Sequence, residues 1–236
     1  MRDPLVLLPA ILCDARLFLA QIAMFSDQRP VIFAPLAEGE TIEEMAKALL
    51  ENLPPTFALA GIGMGGVVAM EILRRAPDRV TRIALMDTNA QAEMPNVAAE
   101  RELLIAKARA GNLADAIGTE MKASFLAQGP HKAEIHQLVM DMGMRLGAET
   151  FVRHSRAMMR RPDQQKTLRT ARAPALVLCG EEDPVCPVRR HEFIQTLMPA
   201  ATLRVIPGAG HLPPLEQPEA VNQAFREWLD APMILN

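Results

Sequence analysis

Short apolar runs recur along the chain, and segments with apolar residues at helical spacing separate most of them. Such short runs are typical of buried strands, whereas helices need longer periodic segments. The runs occupy residues 4–8, 31–34, 57–60, 80–86, 175–179 and 202–206. Alternation of strands and helices with short connections predicts a mostly parallel sheet of about six strands, covered by helices on both faces.

The pattern changes between residues 93 and 165, where we find no strand-like run. Glycines at positions 111, 129 and 147 divide this segment into helices predicted at 97–110, 113–127, 132–146 and 149–160. The regular alternation resumes after it. The sequence therefore predicts one α/β core, made of residues 1–92 and 166–236, with a four-helix lid of residues 93–165 inserted into it.

A cluster of glycines follows the third apolar run, at Gly61, Gly63, Gly65 and Gly66, and a helical pattern begins there. This spacing indicates that strand and helix backbones pass too closely for a Cβ. Two patterns fit the turn. One is the G-x-G-x-x-G fingerprint of dinucleotide sites, with Asp87 as the ribose-binding acid. The other is the G-x-S-x-G nucleophile elbow, in which Gly63 stands where the serine is expected.

Composition excludes several classes of partner. A net charge of -3 provides no basic surface for nucleic acid. No apolar stretch approaches the roughly 18 to 20 residues that a membrane span needs, so we expect no membrane association. Three cysteines without paired spacing favour a reducing cytoplasm over a disulfide framework. The histidines and cysteines show no metal-ligand spacing, and we expect neither a metal nor a cofactor.

Two loops near the end of the chain carry candidate chemistry. One follows the run at 175–179 and contains Glu181, Glu182 and Asp183; the other has the pattern G-x-G-H-x-x-x-x-E-x-P and contains His211. Along the chain the glycine turn comes first, followed by the helical segment, the acidic loop and the histidine loop. In this order and with this last pattern, the chain resembles the α/β-hydrolase superfamily, specifically its compact lidded branch of carboxylesterases. A dinucleotide fold explains neither loop, so we regard the nucleotide interpretation as a remote alternative.

The resemblance implies a role for individual residues. His211 matches the general base, and Asp183 matches the acid that orients its imidazole. Asp87 stands where some members of the superfamily place that acid instead. Ile11 and Met64 match the two backbone N–H donors of the oxyanion hole.

Gly63 is the departure from the superfamily pattern, because a glycine has no oxygen with which to attack a carbonyl. Cys13 lies near the expected oxyanion loop, but it is better explained as packing that loop. Three hypotheses follow. The chain is a hydrolase of small carboxylic esters, thioesters or lactones whose serine has been replaced, naturally or by engineering; or His211 and Asp183 act without a covalent nucleophile; or the pocket only binds a small molecule.

One lid segment carries Arg153, His154 and Arg156 close together in sequence. A phosphate-binding cluster and a solvent-facing helix surface are both compatible with this spacing. We expect the solvent-facing surface, because charged residues on a helix usually lie in water.

Overall fold

The computed structural model describes residues 2–198 and 200–232. Its strands are β1 (Leu5–Leu8), β2 (Val31–Phe33), β3 (Phe57–Ile62), β4 (Val80–Met86), β5 (Ala175–Gly180) and β6 (Thr202–Ile206). All pair in parallel, in the order β2-β1-β3-β4-β5-β6. The parallel sheet predicted from the apolar runs is therefore confirmed.

Helices cover both faces of this sheet. They are α1 (Leu19–Phe25), α2 (Ile42–Asn52), α3 (Met64–Arg75), α4 (Pro95–Arg109), α5 (Leu113–Glu120), α6 (Lys132–Met159), α7 (Gln165–Thr170), α8 (Val188–Leu197), α9 (Pro213–Glu216) and α10 (Pro218–Asp230). Helix α1 packs against α10, whereas α2 packs against α3, which also contacts α7. Strands β1, β3 and β5 are buried along their whole length, which explains why their sequences are apolar without alternation. Within the described residues, no helix is both long enough and apolar enough to cross a membrane.

The turn between β3 and α3 brings backbone segments into close contact. A Cβ at Gly61 would collide with the backbone of Gly65, and a Cβ at Gly65 would collide with the carbonyls of Leu8 and Pro9. The close approach that the glycine spacing predicts is therefore present. It places the loop after β1 directly against the start of α3.

Helices α4, α5 and α6 lie between β4 and β5 and pack against one another. Gly147, with φ of +82°, interrupts α6 and separates two helical segments, as its position in the sequence predicts. We call residues 93–165 the helical insertion.

The helix predicted for residues 113–127 is shorter than expected, because α5 ends at Glu120. Beyond it the backbone forms a short 3-10 turn at Ala123–Phe125 and also bonds to the core. The Phe125 carbonyl accepts a 2.8 Å hydrogen bond from the His211 N–H, and the Ala127 N–H donates to the Glu216 carboxylate at 2.7 Å. In a helix through residue 127 the Ala127 N–H would bond the carbonyl of Ala123 and not the Glu216 carboxylate.

Candidate active site

His211 and Asp183 form a buried pair at the ends of two neighbouring strands. His211 follows β6, Asp183 follows β5, and Nδ1 of the imidazole lies 2.9 Å from Oδ2 of the carboxylate. The other carboxylate oxygen accepts hydrogen bonds from the N–H groups of Val185 (2.8 Å) and Cys186 (3.0 Å). Burial opposes ionisation of Asp183, but the imidazole and these backbone donors outweigh it and lower the pKa of Asp183 below its ordinary value. The pair is thus a carboxylate bonded to one nitrogen of an imidazole.

The loop that carries His211 is held by the Glu216 carboxylate. One oxygen of Glu216 accepts from the Leu212 N–H at 2.8 Å, and the other accepts from the N–H groups of Gly210 (2.9 Å) and Ala127 (2.7 Å). These bonds satisfy backbone donors on both sides of the histidine. They explain physically why a glutamate follows the histidine at this spacing.

Gly63 lies at the turn between β3 and α3, with φ of +54° and ψ of -117°. Its N–H donates to the Met86 carbonyl at 2.9 Å. A Cβ at this position would meet the Ala10 side chain at 3.5 Å and the Asp87 carbonyl at 3.9 Å, both ordinary contact distances, so there is room for a side chain. The constraint at Gly63 is therefore the backbone conformation, which residues with a Cβ rarely adopt.

A cavity of about 490 Å³ opens between the core and the helical insertion. It brings together four of the residues singled out in the sequence: Gly63, His211, Ile11 and Met64. Met64 is the first residue of α3, where a helix leaves its N–H groups without an intrahelical acceptor. The insertion contributes apolar walls to this cavity, through Val97, Leu104, Met121, Phe125 and Met158.

Charged residues of the insertion also reach the cavity wall, and several of them form a network of ion pairs. Arg101 contacts Glu120 at 2.7 Å and Glu93 at 3.3 Å, and Arg161 contacts Glu93 at 3.0 Å. Each of these side chains is largely buried. The network balances two positive and two negative charges, and Glu100 and Lys122 line the cavity outside these ion pairs.

Comparison with known proteins identifies the family. The chain matches the model of the alpha/beta hydrolase family over residues 25–224. It belongs to this family. A thermophilic esterase from Thermogutta terrifontis superposes on this α/β hydrolase with a TM-score of 0.87, at 30% identity, over 96% of this chain and 89% of that chain.

Proteins with similar sequences act on esters and lactones by name. A pimeloyl-[acyl-carrier protein] methyl ester esterase of Aromatoleum aromaticum is 26% identical, over 78% of each chain. The 3-oxoadipate enol-lactonase 2 of Acinetobacter baylyi is 27% identical, over 75% of this α/β hydrolase and 65% of that protein. These matches favour the elbow interpretation of the glycine turn over the dinucleotide interpretation.

Asp87, the alternative acid of the sequence analysis, lies at the end of β4 and is completely buried. One of its oxygens accepts a 2.9 Å hydrogen bond from the Gly180 N–H. Burial and the neighbouring Asp183 carboxylate raise the pKa of Asp87 well above its ordinary value. Asp183 and not Asp87 is bonded to His211, and Asp87 is a buried neighbour of the pair. Glu181 and Glu182 are exposed.

Two cysteines lie near the site. Cys13 is buried and next to Asp14, and burial first, with that carboxylate second, raises the pKa of its thiol to about 12. Such a thiol is a poor nucleophile, which agrees with the packing role expected for it. Cys186 lines the cavity, and sequence reasoning missed it. Burial and the Asp183 carboxylate raise the pKa of Cys186 well above its ordinary value.

His154 corrects one expectation. It is 2% exposed, so the helix surface that carries Arg153, His154 and Arg156 does not face solvent throughout. Arg156 pairs with Glu40 at 2.7 Å.

Sequence reasoning also missed His191, which is buried behind the site and accepts a 3.2 Å hydrogen bond from the Thr88 N–H. An amphipathic pattern gives no signal for either histidine, because their partners lie far away along the chain.

Proposed function

We propose that this α/β hydrolase cleaves a small carboxylic ester, thioester or lactone, and that Gly63 occupies its nucleophile position. The observation that carries the proposal is the buried His211–Asp183 pair, because it opens on the same cavity as Gly63. A base oriented by a carboxylate is the arrangement that acyl transfer requires. The named activities of the similar proteins support the ester and the lactone among these substrates.

In this proposal His211 moves the proton and two backbone groups stabilise charge. Nδ1 is bonded to Asp183, which leaves Nε2 for the reaction. Nε2 takes a proton from water while the water oxygen attacks the carbonyl carbon, and the N–H groups of Ile11 and Met64 stabilise the oxyanion. The C–O or C–S bond of the tetrahedral intermediate then breaks, and the imidazolium returns the proton to the leaving alkoxide or thiolate.

The missing serine sets the expected rate. Without a nucleophile, a serine-hydrolase site retains about 10³- to 10⁴-fold catalysis over water in the best-studied case. Gly63→Ser supplies an Oγ that can form an acyl-enzyme, because the space beside Ala10 accommodates a side chain. The Gly63 form is therefore a slow hydrolase, and the serine form a faster one.

We also propose that residues 93–165 act as the lid of this site over a core of residues 1–92 and 166–236. The cavity of about 490 Å³ lies within the usual range for small-molecule sites. The insertion supplies apolar walls through Val97, Leu104, Met121, Phe125 and Met158, which suit a small acyl group. The cytoplasmic location expected from the cysteine content stays a prediction.

The test is hydrolysis of a panel of short esters, thioesters and lactones by the Gly63 protein, by Gly63→Ser, and by each of these two forms with His211→Ala. We expect the serine form to be fastest, to take a covalent serine-directed probe and to lose both properties without His211. If neither form hydrolyses any compound of the panel but the protein still binds some of them, a binding module would be favoured. Activity of the glycine form that disappears with His211→Ala would show direct activation of water.

A further inference from the structure

A second histidine, His154, is buried where the helical insertion meets the core. It lies on α6, and its two ring nitrogens bond to two different loops. Nδ1 accepts a 3.2 Å hydrogen bond from the N–H of Leu12, in the loop after β1, and Nε2 donates to the Leu36 carbonyl at 2.8 Å. These partners assign the tautomer, because Nδ1 must be unprotonated to accept and Nε2 must carry the proton. His154 therefore acts as a neutral bridge between three segments of the chain.

The loop that His154 reaches has an unfavourable backbone conformation. Leu12 has φ of +57°, in the left-handed region that a leucine rarely adopts. A hydrogen bond from the Cys13 N–H to the Ala10 carbonyl, at 3.2 Å, closes a tight turn around Ile11 and Leu12. Such a conformation persists only where the surroundings impose it. The bond from the Leu12 N–H to His154 is one of these constraints, and it acts at the centre of the turn.

We propose that His154 is a positioning residue, which holds the turn at residues 10–13 so that the N–H of Ile11 points into the cavity as an oxyanion donor. This inference rests on the proposed function, in which Ile11 is one of two such donors. The Leu12 N–H that His154 bonds belongs to the peptide unit after Ile11. The Ile11 N–H shares the preceding peptide unit with the Ala10 carbonyl, which accepts the bond that closes the turn. The two units therefore belong to one turn, and the bond to His154 restrains one of them. An oxyanion donor must be in place before charge develops on the substrate.

Other contacts of α6 support the same role. The Asp14 N–H donates to Sδ of Met142 at 3.4 Å, so α6 contacts the loop after β1 at two points. Arg156 pairs with Glu40 at 2.7 Å, but Glu40 lies beyond the turn that contains Ile11. Among the contacts of α6 with the core, the bond from Leu12 to His154 reaches the turn at residues 10–13, whereas the ion pair between Arg156 and Glu40 does not. This difference provides a matched control on the same helix.

The kinetic test uses the Gly63→Ser background, in which hydrolysis is expected to be fast enough for kcat and KM to be measured separately. His154→Leu removes both hydrogen bonds, His154→Gln retains an acceptor and a donor, and Arg156→Gln removes only the surface ion pair. We expect His154→Leu to lower kcat about ten- to hundredfold with KM changed less than about twofold, since oxyanion donors act mainly in the transition state. His154→Gln should restore kcat to within about threefold, and Arg156→Gln should leave it unchanged. Equal kcat for His154→Leu and its parent would overturn the proposal.

A second measurement does not depend on hydrolysis. Amide hydrogen exchange of the Gly63 protein is compared with that of His154→Asn. The shorter asparagine side chain cannot reach both Leu12 and Leu36, and this variant serves if His154→Leu does not fold. We expect faster exchange at residues 10–13 and unchanged exchange in β3 and β4. Unchanged exchange at residues 10–13 would overturn the inference, as would faster exchange with unaltered kcat. If no form hydrolyses any substrate, the proposed function fails, and exchange alone still decides whether His154 holds the turn.

Discussion

The Thr88 hydroxyl donates a 2.7 Å hydrogen bond to the Gly63 carbonyl, which joins the loop after β4 to the turn before α3. A Cβ at Gly66 would lie 2.6 Å from Oγ1 of Thr88, so this approach requires glycine at position 66. Thr88 is held in turn by the bond from its N–H to Nε2 of His191. The conformation of the turn is thus imposed from outside, and we expect it to persist when residue 63 changes.

We expect Gly63→Ser to lower the melting temperature while it raises hydrolysis. With φ of +54° and ψ of -117°, the position is unfavourable for a residue with a Cβ. The cost is about 1–3 kcal/mol. Since each kcal/mol shifts the melting temperature of a domain of this size by about 2–4 °C, thermal unfolding followed by circular dichroism should reveal a drop of several degrees.

Gly63→Ala is the control for this substitution. It introduces the same backbone strain without a hydroxyl, so it should lower the melting temperature by a similar amount and leave hydrolysis at the level of the glycine form. If both substitutions leave the melting temperature unchanged, the turn is not strained, and the sequence argument for an elbow loses its physical basis.

Glu216→Ala should destabilise the fold and weaken catalysis together. The Glu216 carboxylate accepts from three backbone N–H groups, including those of Gly210 and Leu212 on either side of His211. Removing the acceptor leaves these donors without their partner. We expect the free energy of unfolding to fall by about 2–4 kcal/mol, measured by urea unfolding, and kcat in the Gly63→Ser background to fall at least about tenfold.

A glutamate close in sequence provides the comparison. Glu219 is exposed in the first turn of α10, and Glu219→Ala should change the free energy of unfolding by about 1 kcal/mol or less. If the two variants are equally stable, the loop around His211 does not depend on the Glu216 carboxylate.

Much of the fold is readable from the sequence because its strands are buried on both faces. The apolar runs of β1, β3 and β5 have no alternative explanation in a chain with this alternation of elements. The glycine cluster likewise predicts where backbones touch, since only a missing Cβ permits the contact between Gly61 and Gly65. These features depend on local patterns that a single sequence contains.

Features that depend on distant partners are not readable in this way. The predicted helix at 113–127 extends too far because Phe125 bonds to His211, 86 positions further along the chain. The expectation that His154 lies on an exposed surface is wrong for the same reason. Its charged neighbours predict exposure, but its partners Leu12 and Leu36 are 142 and 118 positions away. No local pattern identifies such contacts before the fold is known.

The two buried histidines should make stability depend on pH. Burial lowers the pKa of His154 and of His191 from 6.5 to about 4. The histidines of the unfolded chain bind a proton at higher pH than those of the folded chain do. The stability that the two neutral histidines contribute is therefore fully present above about pH 6.5 and is lost as the pH falls towards 4. We expect the free energy of unfolding to decrease by roughly 2 kcal/mol per histidine between pH 7 and pH 5.

Urea unfolding of the parent and of the double variant His154→Gln/His191→Gln, at several pH values, isolates this contribution. All other titrating groups are common to both proteins, so they cancel in the difference. The double variant should lose less stability on acidification. Parallel pH profiles would mean that the folded protein tolerates charge on both histidines, contrary to their burial.

The two aspartates of the site should respond differently to the same substitution. In the Gly63→Ser background, Asp183→Asn removes the carboxylate that orients His211 and should lower kcat by about 10⁴-fold. Asp87 is a different case, because burial and the Asp183 carboxylate raise its pKa and favour the uncharged carboxyl, and asparagine is an uncharged side chain of the same shape. The Gly180 N–H retains an acceptor in Asp87→Asn. We therefore expect Asp87→Asn to retain kcat within about fivefold, measured on the best substrate of the panel. The reverse order of effects would mean that Asp87 supplies the acid and that the 2.9 Å bond between His211 and Asp183 is not the functional pair.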